Sequence, residues 1–451
     1  MPERIIKKLS ENKALSLASY LITKITPDFK KIKKYKNALL APYYIHKHSS
    51  IIKNNPLNVR IAPISICNYR CLFCEIHKDN LLYPNRPKNI FTIQNIKNYD
   101  SFLSTAYNIG FFGGSAEPLL DPDFGKIVYY LKSNYNPKLM VNTNASVLTQ
   151  KLSDLFVRCK FNDILVSYHA GTKNCYNYLT SGYGNIDIVD KNLQYLAERK
   201  KNINKNNPRI NFNFALQKLN AKEFKPILDK AKRFHINQIL ISKYYGGRNK
   251  LQDKKVSFDY NPKKGNHILD EIYDYAEKNN LNLVPKKPAY WNEQNKNIGW
   301  DSENYNASKK CLFPWLNLQF DPVLDEENCH YVSICNRIIL FKINYNKLKL
   351  SSQKDFNKLW NHPLLQYMRN TVNLNEPNPI CKYCKNCQRE SLRNVNADKY
   401  AEIRDKAVKD FFVEFKKNYV YDKINGLEVL NENPYSDEKF KNKLKKMKKI
   451  K

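Results

Sequence analysis

The feature that most constrains the fold of this chain is a repeated alternation of short apolar runs with longer amphipathic stretches. The apolar runs are rich in β-branched and aromatic residues, which favour strands, and the stretches between them carry apolar residues at helical spacing. Strands that alternate with helices form right-handed parallel crossovers. The sequence therefore predicts an α/β fold, either a partial (β/α)6 TIM-like barrel or an open parallel sheet, with strands at 58–66, 108–112, 138–143, 163–168, 209–216 and 238–244.

The segments outside this alternation divide the rest of the chain. Residues 1–57 have the pattern of basic amphipathic helices and form a predicted N-terminal extension to the barrel, which occupies residues 58–250. A polar connecting region follows at 251–310, and a rise in cysteine density predicts a small second domain at 311–390. The remainder, 391–451, is predicted to be a charged helical tail.

The chain carries 76 Lys and Arg residues against 42 Asp and Glu residues, a formal net charge of +34. An excess of this kind is typical of proteins that bind nucleic acid. Here the excess is spread along the whole chain, so we interpret it as a property of the overall composition instead of a groove for a polyanion. A nucleic-acid-modifying enzyme stays an alternative, which a steep salt dependence of RNA retention would support.

Location and redox state are constrained by what the sequence lacks and by its cysteines. No uncharged apolar run of about 18 residues occurs, and the first residues lack the apolar core of a secretory signal. We therefore expect a cytoplasmic protein without a membrane span. The 11 cysteines are clustered, and clustered thiols in a reducing compartment hold metal more often than they form disulfides. Cys159 and Cys175 lie outside the clusters and are interpreted as packed thiols.

The first group of cysteines, Cys67, Cys71 and Cys74, lies on the loop after the first predicted strand. Three thiolates at positions i, i+4 and i+7 can reach three corners of one iron-sulfur cubane, whereas structural zinc requires a fourth ligand nearby, and none follows. An iron with an open position can bind the amino and carboxylate groups of a cofactor directly. Taken alone, the spacing also allows a zinc knuckle or a redox thiol group.

Further chemistry-bearing residues follow the next three strands in order, at the end of the parallel strands where barrels of this type place their chemistry. They are Gly113, Gly114, Ser115, Ala116 and Glu117 after the second strand, Asn142 and Asn144 at the third, and Ser167 at the fourth. Together with Phe73 before the last cysteine of the first group, this order resembles the radical S-adenosylmethionine (SAM) superfamily of enzymes.

The resemblance implies a function for each of these segments. The three cysteines would hold a [4Fe-4S] cluster with an open site for SAM, reduced by a protein such as flavodoxin or ferredoxin. Residues 113–117 look like the glycine-rich Gly-Glu-Pro motif that meets the amino end of the cofactor, and Ser167 corresponds to a serine that contacts it. Residues 142–146 look like the Thr-Asn-Gly turn of the superfamily. Ala116 and Ala145 stand where the superfamily usually has glycine.

The second group of cysteines comprises Cys311, Cys335, Cys381, Cys384 and Cys387. Its order is similar to the SPASM or twitch extension of radical SAM enzymes, and the resemblance implies one auxiliary [4Fe-4S] cluster in a small C-terminal cysteine-rich domain. We expect Cys311, Cys335, Cys381 and Cys384 as ligands, with Cys387 in reserve and Cys329 as a weaker substitute for Cys335. Four thiolates with paired spacing would also suit structural zinc.

The predicted function is reductive cleavage of SAM to a 5′-deoxyadenosyl radical that abstracts hydrogen from a substrate carbon. The expected outcome is net oxidation or epimerisation of a small polar or glycan-related metabolite, and modification of a peptide or protein side chain is the alternative. A nucleic-acid-modifying enzyme and a non-catalytic metal-binding protein are the alternatives from other classes. The sequence identifies no general acid or base, although His169 is a candidate for lining the pocket, and Tyr168, Asn213, Lys243 and Tyr244 lie near strand ends.

Overall fold

The computed structural model describes residues 29–74, 89–112, 116–203, 206–244, 255–291, 311–324, 326–335, 338–382, 384 and 397–434. Its strands in chain order are β1 (Asn58–Ile61), β2 (Asn108–Phe111), β3 (Lys138–Thr143), β4 (Asp163–Ser167), β5 (Arg209–Leu216), β6 (Gln238–Lys243), β7 (Leu283–Val284), β8 (Asn317–Pro322), β9 (Cys329–Cys335), β10 (Ile338–Asn344) and β11 (Leu427–Val429). They form one sheet in the order β11-β10-β9-β8-β1-β2-β3-β4-β5-β6-β7.

The helices connect these strands and follow them. In chain order they are α1 (Phe29–His46), α2 (Ile93–Lys97), α3 (Asp100–Leu103), α4 (Phe124–Asn134), α5 (Gln150–Arg158), α6 (Lys173–Leu179), α7 (Ile186–Asn202), α8 (Phe224–Arg233), α9 (Pro262–Lys278), α10 (Phe313–Leu316), α11 (Gln353–Trp360), α12 (Pro363–Thr371), α13 (Pro379–Lys382) and α14 (Ala397–Asn418). Three 3-10 turns add Pro118–Leu120, Lys218–Glu223 and Phe258–Tyr260. Side chains of Thr149, Thr172 and Ser352 cap helices by accepting from backbone N–H groups of the first turn.

The strands β1 to β7 lie side by side in chain order, and each neighbouring pair is parallel. The predicted α/β fold with a mostly parallel sheet is therefore confirmed, and the sheet is open, with β7 and β11 at its edges. The structure adds β7 to the six predicted strands. This strand of two residues lies in the predicted connecting region, because its apolar run is too short to be recognised as a strand.

The C-terminal strands continue the same sheet on the other side of β1. The strand β8 pairs in parallel with β1, and β9, β10 and β11 follow in antiparallel order. The cysteine-rich region is thus joined to the barrel strands by backbone hydrogen bonds. The domain boundaries stay predictions, since 251–254, 292–310 and 391–396 lie outside the described residues, as do 1–28 of the extension and 435–451 of the tail.

The two faces of the parallel sheet differ in polarity. The outer face buries apolar side chains such as Ile61, Phe111, Val141, Val166 and Phe212 completely or almost completely. Each such side chain stabilises the fold by roughly 1.5–3 kcal/mol. On the opposite face, which we call the inner face, alternate residues are polar, and they include Arg60, Asn142, Ser167, Asn213, Ser242, Gln319 and Asp321. The alternation that predicted strands therefore also separates a packed side from a polar interior.

The segment after α1 is tied to the C-terminal helices. The indole of Trp315 donates to the carbonyl of Ser49, and the indole of Trp360 donates to that of Asn54, at 3.0 and 2.8 Å. The predicted extension thus packs on α10 and α11 near residue 50. Within the described residues, no helix is both long enough and apolar enough to span a lipid bilayer.

Candidate active site

The loop that carries Cys67, Cys71 and Cys74 crosses the carboxyl ends of the parallel strands. The backbone N–H of Leu72 donates to the carbonyl of Leu179 at the end of α6, at 2.9 Å. The side chain of Asn68 donates to the hydroxyl of Ser146 after β3, also at 2.9 Å. These contacts hold the loop over the mouth formed by β3 and β4, where barrels of this type place their chemistry.

The three thiols of this loop are half-buried and free of disulfides. Burial raises the pKa of the Cys71 thiol, and the neighbouring Cys74 and Cys67 sulfurs raise it further. All three cysteines line the same cavity. Three thiolates in one partly buried loop repel each other, and a cationic iron core would compensate this repulsion. The loop therefore has the donor set that a cubane requires.

A single metal ion has different requirements. Among the described residues, no group of three or more His, Cys, Asp or Glu side chains could hold one ion. Each thiolate of a cubane binds a different iron, so its ligands stand further apart than those of one zinc ion.

Glu117 connects the turn after β2 to the end of β3. Its buried carboxylate accepts hydrogen bonds from the Thr143 hydroxyl and the Asn144 backbone N–H, both at 2.6 Å, and from the Leu119 backbone N–H at 3.1 Å. Burial raises the pKa of Glu117 to about 7, although these three donors act in the opposite direction. The acid predicted to meet the cofactor therefore also fixes the position of the β3 turn. Its predicted neighbours Gly113, Gly114 and Ser115 lie outside the described residues.

The turn after β3 carries two of the predicted contacts. The Asn144 side-chain amide donates to Asn68 at 2.9 Å and points at the Cys67 sulfur at 3.9 Å. Asn142 accepts a hydrogen bond from the Ser167 hydroxyl at 3.3 Å, which links β3 to β4. Ala145 has a φ of 59° in the left-handed region, where glycine is favoured, and this explains why a glycine would suit the position.

An open cavity brings these residues together. Its lining comprises Cys67, Tyr69, Cys71, Phe73, Cys74, Ala116, Glu117, Asn142, Thr143, Asn144, Ser167, His169, Ala170, Tyr176, Leu179 and Thr180. Every predicted site residue of the barrel that the structure describes is among them. The sequence did not identify Tyr69, Tyr176 and Thr180 as lining residues. Tyr176 and Thr180 belong to α6 and its C-terminal end, which reach the cavity only because the cysteine loop that carries Tyr69 crosses over this helix.

The lining contains no Lys or Arg among the described residues, although the chain has 76 of them. Among the described lining residues, the one carboxyl group belongs to Glu117 and the one imidazole belongs to His169. Burial lowers the pKa of His169 to about 4, so the ring is neutral. A cavity whose described lining offers a carboxyl group and no cation suits a positively charged ligand such as a sulfonium.

Residues 61–231 match the family described as the radical SAM superfamily. The chain carries a radical SAM domain. The superfamily predicted from the three cysteines and the segments after β2, β3 and β4 is thereby confirmed for residues 61–231. Membership implies a [4Fe-4S] cluster and SAM as its cofactors, and the residues around the cavity fit both.

The similarity to solved structures extends beyond residues 61–231. The crystal structure of Streptococcus suis SuiB bound to S-adenosylmethionine is 16% identical, with 81% of this chain and 78% of that chain covered and a TM-score of 0.51. Native anSMEcpe with bound AdoMet and Cp18Cys peptide is 14% identical, with coverages of 80% and 98% and a TM-score of 0.48. At this identity the likeness to SuiB concerns the fold, and its coverage includes strands beyond the radical SAM segment.

One curated relative is a GTPase Obg of Brachyspira hyodysenteriae (strain ATCC 49526 / WA1), 24% identical over 151 residues. The match covers 33% of this chain and 22% of that protein, so the chain spans about a fifth of its length. The sequence of this radical SAM enzyme contains no G-x-x-x-x-G-K-[ST] phosphate-binding loop. The name of the relative therefore adds no nucleotide-hydrolysis site here.

The second group of cysteines lies toward the amino ends of the parallel strands, whereas the cavity lies at their carboxyl ends. Cys335 ends β9, and the register of β8 and β9 places it level with Asn317, where β8 begins. Asn317 pairs with Asn58, the first residue of β1, whereas the Cys67 loop follows the last residue of that strand. Cys311 shortly precedes β8. Cys311 and Cys335 therefore both lie near the amino end of β8.

The end of α12 fixes two members of this group. The Asn373 side chain accepts from the backbone N–H of Cys311 at 2.9 Å and donates to its carbonyl at 3.1 Å. Asn378 accepts from the backbone N–H of Cys381 at 3.1 Å and donates to the Thr371 hydroxyl at 2.9 Å. Cys384 is described next to Cys381, and Cys387 lies outside the described residues.

The remaining cysteines occupy other environments. Cys329 begins β9, roughly 20 Å along the strand from Cys335, and its thiol donates to Glu326 at 3.2 Å. It is therefore too far along the strand to replace Cys335. Cys159 caps α5, the Cys175 thiol donates to the Leu219 carbonyl at 3.7 Å, and both residues are partly buried.

Proposed function

We propose that this radical SAM enzyme cleaves SAM reductively in the cavity and uses the resulting 5′-deoxyadenosyl radical to abstract hydrogen from a polar substrate. The observation that carries the proposal is the cavity that joins Cys67, Cys71 and Cys74 with Glu117 and Ser167 and has no Lys or Arg among its described lining residues. A bound, reduced [4Fe-4S] cluster supplies the electron that splits the sulfur–carbon bond of SAM.

The protein residues bind and orient the cofactor. Glu117 offers a carboxylate to the ammonium group of the methionine end, while the Thr143 and Asn144 donors hold that carboxylate in place. The Asn144 amide directs its N–H at the Cys67 sulfur, a contact that would tune the potential of a cluster held there. Phe73 and Leu179 provide apolar wall that excludes water from a reactive radical.

We further propose one auxiliary [4Fe-4S] cluster on Cys311, Cys335, Cys381 and Cys384, with Cys387 as the reserve ligand. The shared position of Cys311 and Cys335 near the amino end of β8 and the α12 anchors of Cys311 and Cys381 support this grouping. None of the described residues that line the cavity belongs to the group. This separation favours a redox or structural role of the auxiliary cluster over direct ligation of the substrate.

The polar inner face supports a small polar or glycan-related substrate. The Ser242 hydroxyl donates to Asn213 at 3.0 Å, and Arg60 donates to Gln319 at 3.4 Å, so paired donors and acceptors are available on that face. Such groups also bind peptide amides, and modification of a peptide side chain stays the alternative.

Anaerobic reconstitution followed by reduction tests the proposal. We expect about eight irons with matching sulfide per chain, and formation of 5′-deoxyadenosine from SAM. The variant Cys71→Ala should lose 5′-deoxyadenosine formation, whereas Cys159→Ala, which removes a thiol outside both groups, should retain it. Binding of zinc without sulfide, or cofactor cleavage by Cys71→Ala, would contradict the proposal.

The substrate class needs a separate measurement. Candidate polar metabolites, glycans and peptides with deuterium at the reacting carbon are incubated with the reduced enzyme and SAM. Transfer of deuterium into 5′-deoxyadenosine identifies the hydrogen donor, because the radical takes the atom directly. Transfer from peptides alone would favour the alternative over the small polar substrate.

A further inference from the structure

The helix α1 is apolar on two opposite faces. One face packs on the core, where Ala41 is completely buried and Ala38 and Ile45 pack against the same cluster of apolar side chains. Asn37 fixes the rotation of the helix, because its side-chain oxygen accepts from the backbone N–H of Asn55 at 2.6 Å. The opposite face of α1 therefore points away from the core.

The outward face of α1 exposes three large apolar side chains in a row. Ile32, Leu39 and Tyr43 are 41%, 42% and 55% exposed, and they stand at positions i, i+7 and i+11. Residues at this spacing share one face of a helix, here over roughly 16 Å. Single exposed apolar residues are ordinary on a protein surface, whereas an aligned row forms the contiguous patch that marks an interaction site. We call these three residues the α1 stripe.

Exposed lysines border the α1 stripe, and acidic residues are missing from the same segment. Lys33 and Lys36 lie on α1, Lys47 directly follows its last residue, and all three are exposed. The sequence contains no Asp or Glu from residue 29 to residue 74. The segment that carries the stripe thus supplies no carboxylate to compensate its positive charge, so the face suits an anionic partner that also accepts apolar side chains.

We propose that the α1 stripe docks this protein on a membrane surface that contains anionic phospholipid. Helices that lie in the plane of a membrane interface bury apolar side chains at the edge of the acyl chains, while bordering lysines meet lipid phosphates. Tyr43 suits the level of the headgroups, because its ring is apolar and its hydroxyl is polar. A nucleic acid would account for the lysines, but it would leave Ile32 and Leu39 in water.

This docking goes beyond the proposed function and does not depend on it. None of the described residues that line the cavity belongs to the α1 stripe or to its lysine border. The other face of α1 is packed on the core, so the helix can lie along a lipid surface while the fold stays intact. Docking therefore requires neither SAM nor a cluster, and its failure would leave the proposed function unchanged.

Co-sedimentation with lipid vesicles tests the proposal on the reconstituted full chain. One set of vesicles contains phosphatidylcholine alone, and in the other about one lipid in three is phosphatidylglycerol, both at about 0.1 M salt. We expect at least about tenfold tighter binding to the anionic vesicles, and weaker binding as the salt concentration rises. No binding to the anionic vesicles, or equal binding to both sets, would overturn the proposal.

A matched pair of triple variants locates the docking face. Replacing each residue of the α1 stripe by serine should weaken binding to anionic vesicles by about tenfold or more. The control replaces three exposed apolar residues on α4, α7 and α14 and should bind as wild type does: Tyr129→Ser, Ile188→Ser and Val413→Ser. Both variants change only exposed side chains, so their iron content and helix content should equal those of wild type. If the stripe variant binds as tightly as wild type, the vesicles are held elsewhere on this basic chain and the proposal fails.

A second pair of measurements separates lipid from nucleic acid. Lys33→Gln combined with Lys36→Gln should weaken binding to anionic vesicles by on the order of tenfold and reduce its salt dependence. The serine variant of the α1 stripe keeps these lysines, so its retention by single-stranded RNA should equal that of wild type. An equal loss of RNA retention and vesicle binding in the serine variant would identify the face as a nucleic-acid site and overturn the proposal.

Discussion

The two cysteine groups lie at opposite ends of the parallel strands of one sheet and have different electrostatic surroundings. Cys67, Cys71 and Cys74 border an open cavity without Lys or Arg in its described lining. Cys311 and Cys381 are anchored at the end of α12, where Arg369 is buried. A cluster that must bind a sulfonium needs an open position and no competing cation, whereas a fully ligated cluster needs only a stable enclosure.

Arg369 makes the contrast concrete. Its guanidinium donates to the carbonyls of Pro314, Ser50 and Trp360 at 2.8–3.0 Å and stacks over the Trp360 ring at 4.8 Å. Burial lowers its pKa to about 9, and no carboxylate in the described part of the chain pairs with it. Pro314 is three residues from Cys311, so an anionic cluster at the second group would lie near this buried cation.

The largest expected effect comes from removing a predicted auxiliary ligand. Cys335→Ala should lose about four of about eight irons. It should still cleave SAM in the absence of substrate, because the cavity lies at the other end of the parallel strands. Iron and sulfide analysis together with 5′-deoxyadenosine formation measure both properties. Cys329→Ala, at the other end of β9, is the matched control and should retain all iron. A full iron content in Cys335→Ala would show that Cys335 is not a cluster ligand.

The second effect concerns the charge in the cavity. A cationic cofactor favours ionised Glu117, whose pKa of about 7 leaves it increasingly protonated as the pH falls below 7. SAM affinity should therefore weaken by up to about tenfold for each pH unit below 7 and level off above it. Glu117→Gln should bind more weakly above pH 7 and lose this dependence, as measured by dialysis between pH 6 and 8.

A carboxylate outside the cavity provides the control for that experiment. Glu223 accepts from the backbone N–H groups of Gly171 and Thr172 at 2.9 and 2.8 Å and does not line the cavity. Glu223→Gln should keep the pH profile of the wild-type enzyme. If it abolished the profile as well, a general loss of structure would explain the result for Glu117→Gln.

Local patterns predicted more of this molecule than long-range pairing did. The parallel strands and the Cys67, Cys71 and Cys74 loop follow from periodicity and spacing, which neighbouring residues determine. The pairing of β8 with β1 joins residues 259 positions apart, as in the Asn58–Asn317 hydrogen bond, and no local signal encodes it. For the same reason the sequence could not separate Cys329 from Cys335, or find Arg369 beside the second group.

The third effect tests whether Arg369 acts on the second group. Arg369→Gln removes the positive charge, so reduction of a nearby cluster should become harder and its potential should fall. A shift on the order of 60 mV corresponds to about a tenfold change in a one-electron equilibrium. Redox titration followed by electron paramagnetic resonance resolves the two clusters, and the cluster at the cavity should keep its potential.

The conservative variant distinguishes charge from packing. Arg369→Lys retains the charge but cannot reach all the carbonyls that the guanidinium fork contacts. It should therefore lower thermal stability while leaving the potential close to that of wild type. An equal fall in potential for both variants would show that Arg369 acts through the hydrogen bonds instead of its charge.

The smallest effect concerns how each group is held in place. Asn373 and Asn378 hold the second group through backbone atoms of its cysteines. The first group instead depends on contacts between Asn68 and the β3 turn, in which Ala145 has a left-handed φ of 59°. This conformation costs a residue with a Cβ roughly 1–2 kcal/mol, and glycine loses roughly 0.5–1 kcal/mol through its greater freedom when unfolded. Ala145→Gly should therefore stabilise the protein by at most about 1 kcal/mol in denaturant unfolding, whereas Ala106→Gly, at a buried residue with an ordinary φ, should destabilise it by about 1 kcal/mol. Equal losses in the free energy of unfolding of the two variants would mean that the turn beside Cys67 is not strained.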